Sequence, residues 1–128
     1  MKKVLGTALL ALALGSAGAW AKPAIELARD NQKISQQILL GYVNGRDDHS
    51  MLKRLIQTQQ ALKSSVDTPE LQNLLEYIDL CIVDLKRSIQ EPFSTSNAEH
   101  LNDLIHSINE ANHYIIRTIS TQNLIASR

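Results

Sequence analysis

The sequence predicts an all-α protein, an up-down-up-down antiparallel four-helix bundle that follows a cleaved signal peptide. Four segments of about five turns each carry apolar residues at three- and four-residue spacing, and none shows the alternation of a half-buried strand. Short connections with turn or start signals separate these segments, which favours antiparallel neighbours in space. A short basic start followed by a brief apolar run predicts the signal peptide.

The first 21 residues have the organisation of a secretory signal peptide. The basic start MKK is followed by an uncharged apolar run at residues 4–14, and an A-x-A cleavage site ends at Ala21. The apolar run is too short to cross a bilayer comfortably, because a spanning helix needs ~20 apolar residues. We therefore expect a periplasmic or secreted protein that begins at Lys22 and has no membrane span after cleavage.

Helix one is predicted from about Pro23 to Tyr42, because proline suits the first turn of a helix. The dipeptide Asn44-Gly45 is a strong turn signal that ends this helix. The predicted apolar stripe consists of Leu27, Ile34, Ile38 and Gly41 or Tyr42, with Ala28 and Leu39 at its edge.

The other three helices have start and stop signals of their own. Helix two follows a cap at Asp47 or Asp48, which places acid at the positive end of its dipole. Helix three begins with the run TPE at residues 68–70 and stops before Pro92. Helix four follows a capping box, SNAE, at residues 96–99. The predicted stripes are Leu52, Leu55, Ile56, Gln59, Leu62 and Val66; Leu71, Leu74, Leu75, Ile78, Cys81, Ile82, Leu85 and Ile89; and Leu101, Leu104, Ile105, Ile108, Ala111, Ile115 and Ile119.

Composition and motif content exclude several classes of function. The chain has 13 basic and 13 acidic residues, so it lacks the broad basic surface that binds nucleic acid. It has no Gly-rich phosphate loop, G-x-S-x-G, H-E-x-x-H or C-x-x-C motif. The single cysteine, Cys81, cannot form an internal disulfide, and its place in an apolar stripe favours core packing over catalysis. We expect no enzyme activity, no nucleic-acid partner and no cofactor.

Half of a metal-binding motif and a similarity to a haem protein are the two features that bear on the expected absence of a cofactor. Glu110-x-x-His113 is half of a di-iron pattern, but the second copy is missing and both residues face away from the apolar stripe. A solvated helix face is the favoured interpretation, so no metal site is expected. A four-helix protein of this size is also similar to the soluble b-type cytochrome of the bacterial periplasm, an electron carrier. That family holds haem between a Met at the start of helix one and a His near the end of helix four, whereas residues 22–30 contain neither.

Helix one carries polar residues within its apolar stripe. Asn31 and Ser35 lie in or beside it, and buried polar groups need partners, which Gln59, water or a ligand would supply. A polar pair that only sets helix register is the structural alternative. Replacing Asn31 with leucine and Ser35 with alanine is expected to preserve or raise stability and to abolish binding. The candidate ligand-binding residues are Arg29, Asn31, Gln32, Ser35 and Gln36.

The run ARDNQKISQQI at residues 28–38 resembles the first helix of a known periplasmic sensor domain, that of type IV pili methyl-accepting chemotaxis transducers. That helix typically has the sequence AGRQRMLSQRI, and the domain is related to the sensor of nitrate-responsive histidine kinases. The run TPEL at residues 68–71 is similar to the family's TPEI helix start, and the similarity extends through residues 97–118. Gln32 and Gln37 stand where the family has arginines, so the bidentate donors for a nitrate-like anion are missing.

The resemblance and the absence of a catalytic motif predict a non-enzymatic binding or sensory-accessory module. We expect it to be exported and, unlike the family's transducers, to have no transmembrane or signalling part of its own. The partners it implies are a small-molecule ligand or an envelope receptor protein, and a second copy of the chain in a homodimer. A purely structural envelope interaction protein and the cytochrome-like electron carrier are the alternative functions.

Overall fold

The structure, a computed structural model, describes residues 18–46 and 49–126. These residues form α1 (Gly18–Val43), α2 (His49–Ser65), α3 (Pro69–Ser88) and α4 (Thr95–Ala126), and none of them lies in a strand. α1 packs against α2 and α4, and α3 packs against α4 and, least extensively, against α2. The prediction of an all-α fold with four helices is therefore confirmed.

One apolar core fills the space between the helices. The predicted stripes of α2, α3 and α4 are buried except at their edges, where the half-buried residues are Ile56, Leu74, Ile89 and Leu104. In α1 the buried stripe passes through Ala28, whereas Leu27 is only half-buried. The largest fully buried side chains are Ile38, Leu55, Leu62, Leu71, Leu75, Ile78, Leu85, Leu101, Ile105, Ile108, Ile115 and Ile119.

α1 begins at Gly18, five residues before the predicted start, so the prediction that Pro23 lies in the first turn is wrong. The upstream segment AWAK contains good helix formers, and these extend the helix although proline supplies no N–H to it. Residues 1–17, which include most of the predicted signal peptide, lie outside the described residues, as do Asp47 and Asp48, the predicted caps of α2.

The predicted turn after α1 is confirmed. The Arg46 N–H donates to the Gly41 carbonyl at 2.8 Å, and the Gly45 N–H donates to the Tyr42 carbonyl at 3.1 Å. These two bonds are those of a Schellman motif, which requires a left-handed residue just beyond the helix. Gly45 has φ +73° and supplies it, because glycine has no Cβ to strain that conformation.

α3 begins at Pro69, as predicted. Thr68 occupies the N-cap position with its hydroxyl making no capping bond, and its backbone carbonyl accepts the Gln72 N–H at 2.9 Å. The helix ends at Ser88, and Ile89 is its C-cap residue rather than its last helical one.

The predicted capping box of α4 at residues 96–99 is wrong. The Asn97 N–H donates to Ser94 Oγ at 3.0 Å, so the cap is Ser94 and the helix begins at Thr95. The Asn97 side chain donates at 2.7 Å to the Tyr42 hydroxyl and at 2.9 Å to the Ser88 carbonyl. These tertiary bonds fix Asn97 in the first turn and select the earlier of two serines as the cap.

The helices differ more in length than the sequence suggested. α2 has 17 residues and α3 has 20, close to the expected five turns, whereas α1 has 26 and α4 has 32. None of the four described helices combines the length and the apolar content needed to cross a membrane.

Candidate functional site

Three carboxamide side chains from three helices meet inside the core. Asn31 of α1, Gln59 of α2 and Asn112 of α4 are each at most 2% exposed. Asn31 Nδ2 donates to Gln59 Oε1 at 2.9 Å and to Asn112 Oδ1 at 3.4 Å. Asn112 Nδ2 donates to the Ile108 carbonyl at 2.9 Å, and Asn31 Oδ1 is buried without a partner. Gln59, one of the three kinds of partner that the sequence left open for Asn31, is therefore bonded to it.

This buried cluster continues to the surface through α3. Gln59 Nε2 donates to the Leu75 carbonyl at 2.9 Å and to Asp79 Oδ1 at 3.1 Å. Asp79 Oδ2 in turn forms an ion pair with Lys63 at 2.5 Å, and both side chains are about one third exposed. We refer to Asn112, Asn31, Gln59 and Asp79 as the polar network; it draws one side chain from each helix.

A groove of about 280 Å³ lies between α2 and α3, the neighbouring pair with the least extensive contact. Its apolar wall is formed by Ile56, Ile82 and Val83. Gln59, Lys63, Asp79 and Lys86 supply most of its polar lining. The surface end of the polar network therefore opens into this α2–α3 groove.

The α2–α3 groove carries a net positive charge. Asp79 neutralises Lys63, and Lys86 makes no ion pair with any of the described residues. The groove volume lies near the ~300 Å³ lower end of small-molecule pockets, which combine apolar walls with a few polar groups that fix orientation. The arrangement suits a small ligand with an apolar body and an anionic group.

The structure separates the five residues that the sequence proposed as a ligand site. Asn31 and Ser35 are fully buried, and Ser35 Oγ donates to the Asn31 carbonyl at 2.7 Å within α1. Gln32 is half-buried and donates to the Asn109 carbonyl of α4 at 2.9 Å. Arg29 and Gln36 are exposed. Asn31 belongs to the polar network, and as a ligand site the five residues stay a prediction.

Sequence reasoning missed Asn112, Asp79 and Lys86. Asn112 had a usable signal, because it follows Ile108 by four residues and precedes Ile115 by three, on the core side of α4. Asp79 and Lys86 had none, because both lie at the edge of the α3 stripe, where charged residues are ordinary.

Cys81 and the Glu110-x-x-His113 motif do not line the α2–α3 groove. Cys81 is buried, as predicted, and burial raises the pKa of its thiol; a hydrogen bond with Tyr77 opposes this shift, and the charge of Asp84 adds to it. Glu110 and His113 are both exposed, which confirms the solvated face, and Glu110 pairs with the exposed His106 at 3.2 Å. Within the described ranges, no three His, Cys, Asp or Glu side chains are grouped to hold a metal ion.

Comparisons of the chain with protein-family models, curated protein sequences and solved structures find no match. The resemblance to the transducer sensor domain thus remains a proposal from short residue runs. The α2–α3 groove and the polar network provide the structural basis for inferring function.

Proposed function

We propose that the protein is an exported, non-enzymatic helical binding module that holds a small ligand in the α2–α3 groove and serves an envelope receptor as a sensory accessory. The position of Gln59 carries this proposal. Its side chain lines the groove and is also hydrogen-bonded to Asn31 in the core. A group that fills the groove therefore acts directly on a residue that links α2 to α1.

The proposed ligand has a small apolar body and a carboxylate or similar anionic group. Ile56, Ile82 and Val83 provide the apolar contacts, and Lys86 provides a cation that Asp79 does not neutralise. A charge-assisted hydrogen bond between an ammonium group and a carboxylate is stronger than one between neutral groups. An uncharged ligand of the same shape would lose this interaction and bind more weakly.

Ligand binding would be communicated through the Lys63–Asp79 pair. A ligand carboxylate beside Lys63 competes with Asp79, whose other oxygen accepts a hydrogen bond from Gln59. Any movement of Asp79 alters the restraint on Gln59 and, through Asn31, the contact between α1 and α4. A differential contact of this kind is what lets a ligand shift a conformational equilibrium.

Export is proposed from the basic start, the apolar run and the A-x-A site. We also propose that the four helices run in antiparallel up-down-up-down order. It is supported by the bonds of Tyr42 near the end of α1 to the α3–α4 connection, and by the 3.0 Å bond of Tyr114 to Glu70 at the start of α3.

A non-enzymatic role is supported by the chemistry around the groove. Lys63 and Asp79 neutralise each other at the groove wall, so neither stands as an isolated acid or base. The Cys81 thiol is buried with a raised pKa, which lowers its thiolate fraction and hence its nucleophilicity near neutral pH.

A thermal-shift screen tests the proposal. Benzoate, phenylacetate and butyrate are compared with benzamide, which is neutral and nearly the same shape as benzoate, and with benzylamine, which is cationic and of similar size. A ligand at ten times its Kd stabilises the fold by about 1.4 kcal/mol, which raises Tm by several degrees in a domain of this size. We expect this shift with a carboxylate and a much smaller one with benzamide and benzylamine.

Matched variants locate the site. Lys86→Gln should remove most of the carboxylate-induced shift, whereas Lys53→Gln, on an exposed lysine of α2 outside the groove, should leave it intact. Equal shifts with benzoate and benzamide, an unchanged response in Lys86→Gln, or no shift with any carboxylate would contradict the proposal.

A further inference from the structure

A second groove, of about 570 Å³, lies between the last turns of α1 and the first turns of α4. Leu39 and Val43 of α1 and Phe93 of the α3–α4 connection form its apolar part. Val43 is 50% exposed and Phe93 is 59% exposed, and Leu40 beside them is 55% exposed. Adjacent large apolar side chains that remain this exposed mark an interaction surface more often than isolated ones do.

The groove is held in shape by buried contacts. The Tyr42 hydroxyl donates to the Pro92 carbonyl at 3.0 Å and accepts from Asn97 Nδ2 at 2.7 Å. The rings of Tyr42 and Phe93 lie 5.8 Å apart between centroids. Because Tyr42 is itself only 8% exposed, these contacts fix the connection that carries Phe93. A partner would therefore meet a preformed surface and would not have to order it.

The opposite wall of this groove is acidic. Glu99 and Asp103 line it from α4, and neither forms an ion pair with any residue that the structure describes. They are four residues apart, so their side chains are neighbours on one face, about 6 Å apart along the helix axis. Two like charges at this spacing repel each other, and a cationic partner would relieve the repulsion.

We propose that this α1–α4 groove is a docking site for a basic amphipathic helix of a partner protein. The apolar face of that helix packs against Leu39, Val43 and Phe93, while Lys or Arg residues four positions apart pair with Glu99 and Asp103. The spacing of the two carboxylates favours a helical partner, because i, i+4 cations on a second helix repeat at the same distance. The charge of this groove is opposite to that of the α2–α3 groove, so the two would select different molecules.

The test uses a fluorescently labelled, end-capped peptide of about 15 residues, long enough for four helical turns. Leucines occupy one face, and lysines flank them at four-residue spacing. One control peptide has glutamate at each lysine position, and another has the same composition in an order that destroys the amphipathic face. Binding to the whole chain is measured by fluorescence anisotropy at low salt, where surface charges are least screened.

Two sets of exposed carboxylates give a matched comparison. Glu99→Gln combined with Asp103→Asn should weaken binding of the lysine peptide about tenfold, because two charge contacts are lost. Glu26→Gln combined with Asp30→Asn alters an exposed i, i+4 pair of acids on α1 outside the groove and should leave the affinity unchanged. Val43→Ser should weaken binding severalfold through the apolar contact.

The proposal is supported if the lysine peptide binds saturably with this pattern of losses. It is overturned if the glutamate or the scrambled peptide binds equally well, or if both pairs of carboxylate substitutions weaken binding equally. It is also overturned if the chain self-associates through this surface, which sedimentation of the wild type and Val43→Ser would show.

Discussion

Asn31 should contribute more to the stability of the fold than is expected of a polar residue in an apolar stripe. Replacing it with leucine removes the donor that serves both Gln59 Oε1 and Asn112 Oδ1. Gln59 and Asn112, which carry these two acceptors, are 2% and 0% exposed, so water cannot replace the lost bonds without opening the core. The structure therefore changes the sequence-based expectation that leucine at this position preserves or raises stability.

The net effect of Asn31→Leu can be estimated from the contacts. Each buried acceptor left without a donor costs about 1–3 kcal/mol, with the 3.4 Å contact to Asn112 at the lower end. Burial of the leucine side chain returns about 2 kcal/mol, and crowding by its larger volume costs about 1 kcal/mol. Loss of the unpartnered Asn31 Oδ1 returns about 1 kcal/mol. We expect a net destabilisation of about 1 kcal/mol.

A concerted variant separates lost hydrogen bonds from poor packing. Asn31→Leu, Gln59→Met and Asn112→Leu together remove all three buried amides, so none is left without a partner. Asp79 retains Lys63, and the Leu75 carbonyl is a helix-backbone acceptor in any case. The triple variant should be more stable than Asn31→Leu alone and close to the wild type, because replacing both partners by apolar groups is nearly neutral.

Urea unfolding followed by far-UV circular dichroism provides the measurement. For a slope near 1–2 kcal/mol/M, the single variant should lower the midpoint by about 0.5–1 M without changing the slope. A single variant as stable as the wild type, or a triple variant less stable than the single one, would refute the assignment of these bonds.

Three further predictions concern other parts of the chain. Cys81→Ala should cost on the order of 1 kcal/mol of stability through lost packing and should leave benzoate binding unchanged. The native Cys81 thiol should react with iodoacetamide slowly near neutral pH and faster as alkaline pH approaches its raised pKa, and fast labelling at neutral pH would contradict this. Gly45→Ala should cost about 1 kcal/mol in urea unfolding, since nothing crowds the new Cβ and only the positive φ is strained; an unchanged midpoint would argue against that turn. Mass spectrometry of the exported protein should find Lys22 at its amino terminus, and retention of Met1 would rule out the signal peptide.

Helix positions were predictable where local chemistry decides them. Three- and four-residue spacing identified nearly all of the core, and Asn44-Gly45 and Thr68-Pro69 marked real helix boundaries because positive φ and a fixed proline φ are local properties. The start of α4 was not predictable in this way. Ser94 and Ser96 are equivalent caps by residue type, and a tertiary bond of Asn97 selects between them.

The candidate site was predictable only in part. Asn31 and Gln59 were recognisable because a polar residue in an apolar stripe needs a partner, and the structure joins them. The groove itself depends on how far α2 and α3 stand apart, which no residue pattern within one helix specifies. Lys86 acquires its place in the groove only through that spacing.

Two-dimensional ¹H–¹⁵N NMR of the side-chain amides, recorded while benzoate is added, tests ligand binding in the α2–α3 groove most directly. We predict that the Gln59 signal shifts saturably, that the Asn31 signal follows with the same Kd, and that Asn102 in the α1–α4 groove does not move. A stationary Gln59 signal, or shifts concentrated at Asn102, would contradict the proposed site.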